Sequence, residues 1–231
     1  MPESVVDINQ LRFAYSGTPF ELKLDHFEIR DGERVALIGP SGCGKSTLLD
    51  LIAGIREPNE GSVETAGRTM DSMSMAQRRT LRLESIGFVF QEFRLLEYLT
   101  VLDSILLPIR LAGQSVDRAL RERTQTLASR AGIAHLLKRR PARLSQGERQ
   151  RAAICRALIG TPSLVLADEP TGNLDPMTGN AVLDLLFDEV NKAGATLLLV
   201  THQHEILPRF DRVVDLGEAN ESAGNESGVS R

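Results

Sequence analysis

Apolar residues in this chain gather into short, unbroken runs: "RVALIG" (34–39), "SIGFVF" (85–90), "SLVLA" (163–167) and "TLLLV" (196–200). Runs of this length are too short for buried helices, and they lack the alternation of a strand with one wet face. They predict strands buried on both sides. Between them lie helical patterns, one from about Lys45, one after "SIGFVF" and one from about Pro176. Strand and helix in alternation predict a mostly parallel sheet covered by helices on both faces.

The first thirty residues read differently. "VVDINQLRFAY" and "FELKLDHFEIR" alternate apolar with polar, the pattern of an antiparallel layer attached to the parallel core. From about 92 to 143 the periodicity is helical with almost no strand signal, and we expect an inserted helical subdomain there. Within it "VDRALRERTQTLASRAG" has the charged face of an exposed helix. "LTVLDSILLPIRLAG", interrupted by Asp103, Ser104, Pro108 and Arg110, reads as a helix pair or a kinked helix, not a membrane span. The expected organisation is one domain over residues 1–216, then a polar, Gly/Ser-rich tail from Gly217 to Arg231 that is expected to be disordered. The N-terminus has neither the basic nor the apolar region of a signal peptide.

Composition changes this picture little. Hydrophobic residues at 42% and charged residues at 25% are ordinary for a folded soluble protein. A formal net charge of -4 gives no global reason to bind nucleic acid, and the basic "KRRPAR" segment (138–143) reads as a solvated surface. Two cysteines, Cys43 and Cys155, lie far apart without metal-ligand spacing, which points to a reduced, cytoplasmic protein.

In an open parallel sheet, ligands bind outside the carboxyl ends of the strands. The residues just past those ends are therefore the candidates. After "RVALI" come Gly39, Pro40, Ser41, Gly42, Cys43, Gly44, Lys45, Ser46 and Thr47, a match to G-x-x-x-x-G-K-[ST]. Glycines there let successive N–H groups curl around a phosphate, and the helix start adds its positive end. Lys45 is expected to reach the outer phosphates of a bound nucleotide and Ser46 to ligate Mg²⁺. Cys43 in this loop is a small filler. After "SLVLA" stand two adjacent carboxylates, Asp168 and Glu169. Beside a phosphate loop their charge has a use: Asp168 holds the Mg²⁺ shell while Glu169 polarises the attacking water as general base. Gln91, after "SIGFVF", either orients that water or completes the Mg²⁺ shell. His202, after "TLLLV", donates a hydrogen bond to the terminal phosphate.

"LSQGE" (144–148) adds a second anion grip. Ser145 and Glu148 form the S-x-x-E capping box of a helix, and with Gln146 and Gly147 they leave its N–H groups open to a phosphate. One chain with two such grips points to service of the nucleotide of a second copy.

Taken together these motifs resemble the ATP-binding cassette ATPases, the nucleotide-binding subunits of ABC transporters, over essentially residues 4–216. "GPSGCGKST" resembles the Walker A loop, "LVLADE" the Walker B strand with its catalytic glutamate, Gln91 the Q-loop, "LSQGE" the signature sequence, "GNLD" with Asp175 the D-loop and His202 the H-loop. Gln146 and Glu148 depart from the commonest signature. The resemblance implies a P-loop NTPase fold and a head-to-tail homodimer around two ATP, with Ser145, Gln146, Gly147 and Glu148 acting in trans. It also implies a separate integral membrane permease as partner, and a place on the inner face of the cell membrane. Tyr15 sits where the family stacks an aromatic ring on adenine; the alternative is a ring that packs within its own layer. "ADEPTGNLD" and the segment after Gln91 look most like the branch that contains the lipoprotein-releasing, macrolide-efflux and cell-division ATPases. "EFRLLEYL" (92–99) offers either a groove for a partner's helix or packing for the helical subdomain. A soluble ATPase of this type acting on ribosomes or nucleic acid is the other reading, against which stand the acidic balance, the single cassette and the lack of long coiled-coil insertions.

Overall fold

The computed structural model describes residues 4–220. Its elements are β1 (Ser4–Ala14), β2 (Glu21–Arg30), β3 (Arg34–Ile38), α1 (Lys45–Ile52), β4 (Glu60–Thr65), β5 (Arg68–Thr69), α2 (Met75–Ser85), β6 (Ile86–Phe90), α3 (Val101–Ile105), α4 (Leu107–Leu111), α5 (Arg118–Arg130), α6 (Gln146–Leu158), β7 (Leu164–Asp168), α7 (Pro176–Ala193), β8 (Thr196–Val200) and β9 (Arg212–Asp215). The described residues divide into two compact units, one of residues 4–82 and 196–220, the other of residues 83–195.

In the first unit, β1 pairs antiparallel with both β2 and β4, and β5 pairs with β4, as the alternating N-terminal pattern predicts for the first pair. β4 and β5 carried too weak a pattern to be expected. The β1–β4 register slips between Asn9 and Arg12, where Gln10 takes a positive φ of 50°. Gly61 lies against this bulge so closely that a Cβ there would sit 2.2 Å from the Gln10 carbonyl oxygen, and only glycine fits. The same unit holds a parallel set in which β3 lies between β8 and β9. Val35, Ala36 and Leu37 of β3 and Leu197, Leu198 and Leu199 of β8 are all fully buried, as unbroken apolar runs require. Each valine or leucine among them contributes roughly 1.5–3 kcal/mol of burial.

The start of the tail, expected to be disordered from Gly217, is ordered. Residues 216–220 are helical. Asp215 Oδ1 accepts from the Gly217 amide at 2.8 Å, and Asn220 reaches the edge of β2, accepting from Lys23 N at 2.7 Å and donating to Glu21 O at 3.2 Å. These bonds hold a stretch whose composition alone reads as unstructured. Residues 221–231 lie outside the described residues.

The second unit contains the parallel pair β6–β7, with α3 to α5 and the longer α6 and α7. The helices expected between 92 and 143 are there. Pro108 in the first turn of α4 cannot continue α3, so the apolar stretch becomes two helices joined at Leu106. α5 is capped by Asp117, which accepts from Leu120 N at 2.8 Å, and buries only Thr124, Leu127 and Ala128. α7 is capped by Asp175 and ends at Gly194, whose φ of 63° makes the left-handed stop. No helix among the described residues is long and apolar enough to cross a membrane.

Candidate functional site

The candidate residues fall into two sets, one in each unit. In the first unit β3 feeds the phosphate loop. Gly39, Gly42 and Gly44 adopt φ values of 140°, 83° and 108°, the region that side chains avoid, so this loop needs glycine at each of the three. At Gly44 a Cβ would also lie 3.0 Å from the Phe20 ring, which would have to shift to admit it. Lys45 opens α1 and is 7% exposed. Its ammonium is drawn into the loop, donating to Gly39 O at 2.8 Å and Pro40 O at 2.9 Å. An ammonium has three donors, so this geometry commits two and places the charge inside the curl of the loop. Pro40, Ser41 and Ser46 are exposed, Cys43 is half-buried and Thr47 is buried.

Tyr15 contacts the residues that follow this loop. Its hydroxyl lies 3.0 Å from Thr47 Oγ1, its ring meets Phe13 edge-on at 4.9 Å and Phe20 at 5.5 Å, and the Arg56 guanidinium stands 4.6 Å from its centroid. Parallel pairing of β3 with β8 matches Leu37 to Val200, and Thr201 N donates to Leu37 O at 3.2 Å. His202 therefore leaves its strand at the same end of the sheet as Gly39, exposed to solvent.

In the second unit β6 and β7 run parallel with Phe90 opposite Asp168. Gln91 and Glu169 are then the first residues off two neighbouring strands. Glu169 has a φ of 44°, a left-handed backbone that glutamate adopts only when its surroundings impose it. The turn that follows, Glu169 O accepting from Gly172 N at 3.0 Å, brings the "GNLD" loop onto Gln91. Asn173 Nδ2 donates to Gln91 O at 3.1 Å, Gln91 Nε2 lies 3.4 Å from Asn173 Oδ1, and a Cβ on Gly172 would come within 2.8 Å of Gln91 Nε2. Asp175 caps α7 by accepting from Thr178 N at 3.0 Å, and its bonds to the Thr178 side chain, then to that backbone, lower its pKa.

The capping box at the start of α6 is complete. Ser145 N donates to Glu148 Oε2 at 2.7 Å, Glu148 N donates to Ser145 Oγ at 3.3 Å, and these bonds hold the Glu148 carboxyl below its usual pKa. Ser145 and Gln146 are exposed, as an anion grip requires. Gly147 is not; it is buried, and a Cβ there would lie 2.5 Å from Thr178 Cγ2. Its smallness therefore serves the packing of α6 against α7. Two further residues escaped the sequence reading. Gln150 and Arg156, both on α6, bond the backbone on either side of Gln91. Gln150 could have been found: it lies at helical spacing from Gly147, Ile154 and Ala157, on the stripe that α6 buries.

The first unit carries a phosphate loop after β3, and the second, taken by itself, carries a carboxylate pair at the end of β7 and a capped helix with an exposed serine. The chain belongs to the ABC transporter family, whose profile matches residues 22–172, and it is an ATP-binding, ATP-hydrolysing subunit. It is 46% identical over 189 residues, 81% of this chain and 78% of the other, to the lipoprotein-releasing system ATP-binding protein LolD of Xanthomonas campestris pv. campestris. An uncharacterized ABC transporter ATP-binding protein of Mycobacterium tuberculosis is 44% identical over 217 residues, 93% and 87% of the two chains. Among solved structures, the dimeric post-hydrolysis state of the ATP-binding cassette MJ0796 bound to ADP and Pi aligns with a TM-score of 0.79 at 30% identity, covering 92% of this chain and 95% of that one. The cbiO1 subunit of the cbiONQ transporter complex from Clostridium perfringens aligns with a TM-score of 0.81 at 29% identity, covering 96% and 92%. The fold is accordingly that of a P-loop ABC ATPase, with an antiparallel layer and a parallel core.

Proposed function

We propose that this subunit pairs with a second copy around two ATP and drives a separate membrane permease of the lipoprotein-release type, from the cytoplasmic face of the membrane. The observation that carries the hydrolytic part is Glu169, a glutamate held left-handed at the end of a strand whose neighbour ends in Gln91. The identity to LolD supports the transport part, and the dimeric cassette supports the pairing. The cassette spans residues 1–216, with the helices of 92–143 as its inserted part.

In this reading the amides of Gly39–Thr47 receive the phosphates, and Lys45 balances their charge from within the loop. Tyr15 and its aromatic neighbours form the adenine side. Ser46, Gln91 and Asp168 offer a hydroxyl, an amide and a carboxylate oxygen, a hard donor set that suits Mg²⁺ and contains no soft ligand. When bound, Mg²⁺ neutralises charge on the outer phosphates. Glu169 takes the proton of the attacking water while His202 donates to the terminal phosphate. Ser145, Gln146, Gly147 and Glu148 act on the nucleotide of the second copy, with Asp175 at the same face. Within that segment Ser145 and Gln146 are the exposed residues and reach the nucleotide, while buried Gly147 seats the start of α6 against α7.

The test is Glu169→Gln. It should abolish phosphate release, keep ATP binding and accumulate an ATP-bound dimer in light scattering. Normal turnover by this variant, or a monomer at saturating Mg-ATP, would refute the reading. For the permease, the tagged chain drawn gently from native membranes should bring down a membrane protein with few spans and a large extracytoplasmic domain; ribosomal or DNA-associated proteins alone would replace the transport reading with a soluble one.

A further inference from the structure

Gln150 is an unlikely residue for its place. It is 0% exposed on the buried stripe of α6, where an amide is costly unless bonded. Its Nε2 donates to Phe90 O at 3.3 Å and to Pro170 O at 2.6 Å. Those two carbonyls belong to the residue just before Gln91 and the residue just after Glu169. The amide oxygen has no partner within hydrogen-bonding distance. Turning the amide over would set that oxygen against two carbonyl oxygens, so the donors dictate the orientation. A leucine or methionine would fill the same space without stranding a buried oxygen. What they lack is the pair of donors.

Arg156, further along α6, grips the other side of Gln91. Its guanidinium donates to Phe93 O at 2.9 Å and Arg94 O at 2.5 Å. Phe93 and Arg94 both take positive φ, 54° and 47°, so the fork holds a backbone that neither residue prefers. Burial and the Arg94 charge push the Arg156 pKa down to about 10, which leaves it cationic at neutral pH. Arg94 in turn stands 4.0 Å from the Phe90 ring centroid. Helix and strand are in backbone contact as well, because a Cβ on Gly87 of β6 would lie 2.4 Å from Ala157 O.

We propose that Gln150 is a positioning residue for ATP hydrolysis, tying the signature helix to the backbone that carries both Gln91 and Glu169, with Arg156 extending the tie to the segment Glu92–Leu99. This rests on the roles proposed above for Gln91 and Glu169. A nucleotide that pulls on Ser145, at the start of α6, then moves or locks the exits of β6 and β7 through one rigid helix. The same helix passes a displacement of Glu92–Leu99 back to Glu169.

The experiment uses the full chain with Gln150→Met, Gln150→Glu, Arg156→Lys and, as reference, Glu169→Gln. Turnover, affinity for a fluorescent ATP analogue and amide hydrogen exchange are read on each. Gln150→Met should lower kcat by about 10- to 100-fold, the effect of a misplaced catalytic group, while nucleotide affinity holds. Exchange should quicken at residues 91–95 and 169–172 and stay unchanged in α7. Gln150→Glu, whose buried carboxyl stays protonated and keeps one donor, should fall between Met and the native residue. Arg156→Lys should loosen residues 92–99 without touching 169–172. Native kcat in Gln150→Met overturns the proposal, and so does a loss of kcat with exchange raised throughout the unit. Should Gln150→Met fail to fold, Gln150→Glu decides alone, native kcat again overturning it. If Glu169→Gln is inactive while both Gln150 variants turn over normally, only this inference fails; if Glu169→Gln turns over normally, the reading beneath it fails and takes this one with it.

Discussion

Thr178 occupies, with its methyl group, the space that any side chain on Gly147 would need, the separation to a Cβ being 2.5 Å. The same residue gives its backbone N–H to Asp175. One threonine thus joins the start of the signature helix to the cap of α7. Gly147→Ala should overpack this junction and destabilise the protein by about 1–3 kcal/mol in urea unfolding. Adding Thr178→Ser, which removes the methyl and keeps the backbone bond, should restore most of that stability. Recovery of hydrolysis along with stability would assign Gly147 a packing role.

A second close approach tests the rigidity of α6 on β6. The obstacle at Gly87 is the Ala157 carbonyl, backbone that cannot rotate aside. Gly87→Ala should therefore cost at least about 1–3 kcal/mol, visible as a lower urea midpoint with an unchanged slope.

Acid should weaken the first unit through Asp211. Its hydrogen bonds and charge pairing with Arg34 hold the carboxyl below the ordinary aspartate value. A depressed folded pKa stabilises above the unfolded value of about 3.9 and is lost as pH falls through the folded one. The pair is partly exposed, so the contribution is less than about 1 kcal/mol. The melting temperature of Asp211→Asn should lie below the native one at pH 6, and the gap should close toward pH 3.

The two thiols should separate cleanly. Cys155 is fully buried, and burial with the nearby Glu189 charge pushes its pKa up to about 12, whereas Cys43 is half-buried in the phosphate loop. A disulfide reagent at pH 8 should titrate one thiol in the native chain and two in denaturant. ATP should protect the first.

Much of the site was legible because its motifs are local. The glycines of 39–44 and the capping box at Ser145 act within a few residues, and strand ends gather polar residues by topology alone. β4 and β5 were not legible, since "EGSVET" has only Val63 and Thr65 buried and borrows its order from β1. Arg156 looks like an ordinary polar position of a helix, and although Gln150 stands out on an apolar stripe, the meaning of both lies in carbonyls some 60 residues away in sequence. Likewise no residue type announces the left-handed backbone of Glu169, which surrounding structure imposes. The buried side of Gly147 was hidden for the same reason: its neighbour, Thr178, belongs to another helix.

Asn220 gives the chain a protective feature. Among the described residues β2 pairs as a strand only with β1, and an open strand edge is a template for joining other chains. The Asn220 amide satisfies one donor and one acceptor of that edge, at Lys23 and Glu21, as one more residue of strand would. A chain cut back to Leu216 would keep all of its chemistry yet present a bare strand to its neighbours, and its shortened form should be the one that clumps on storage.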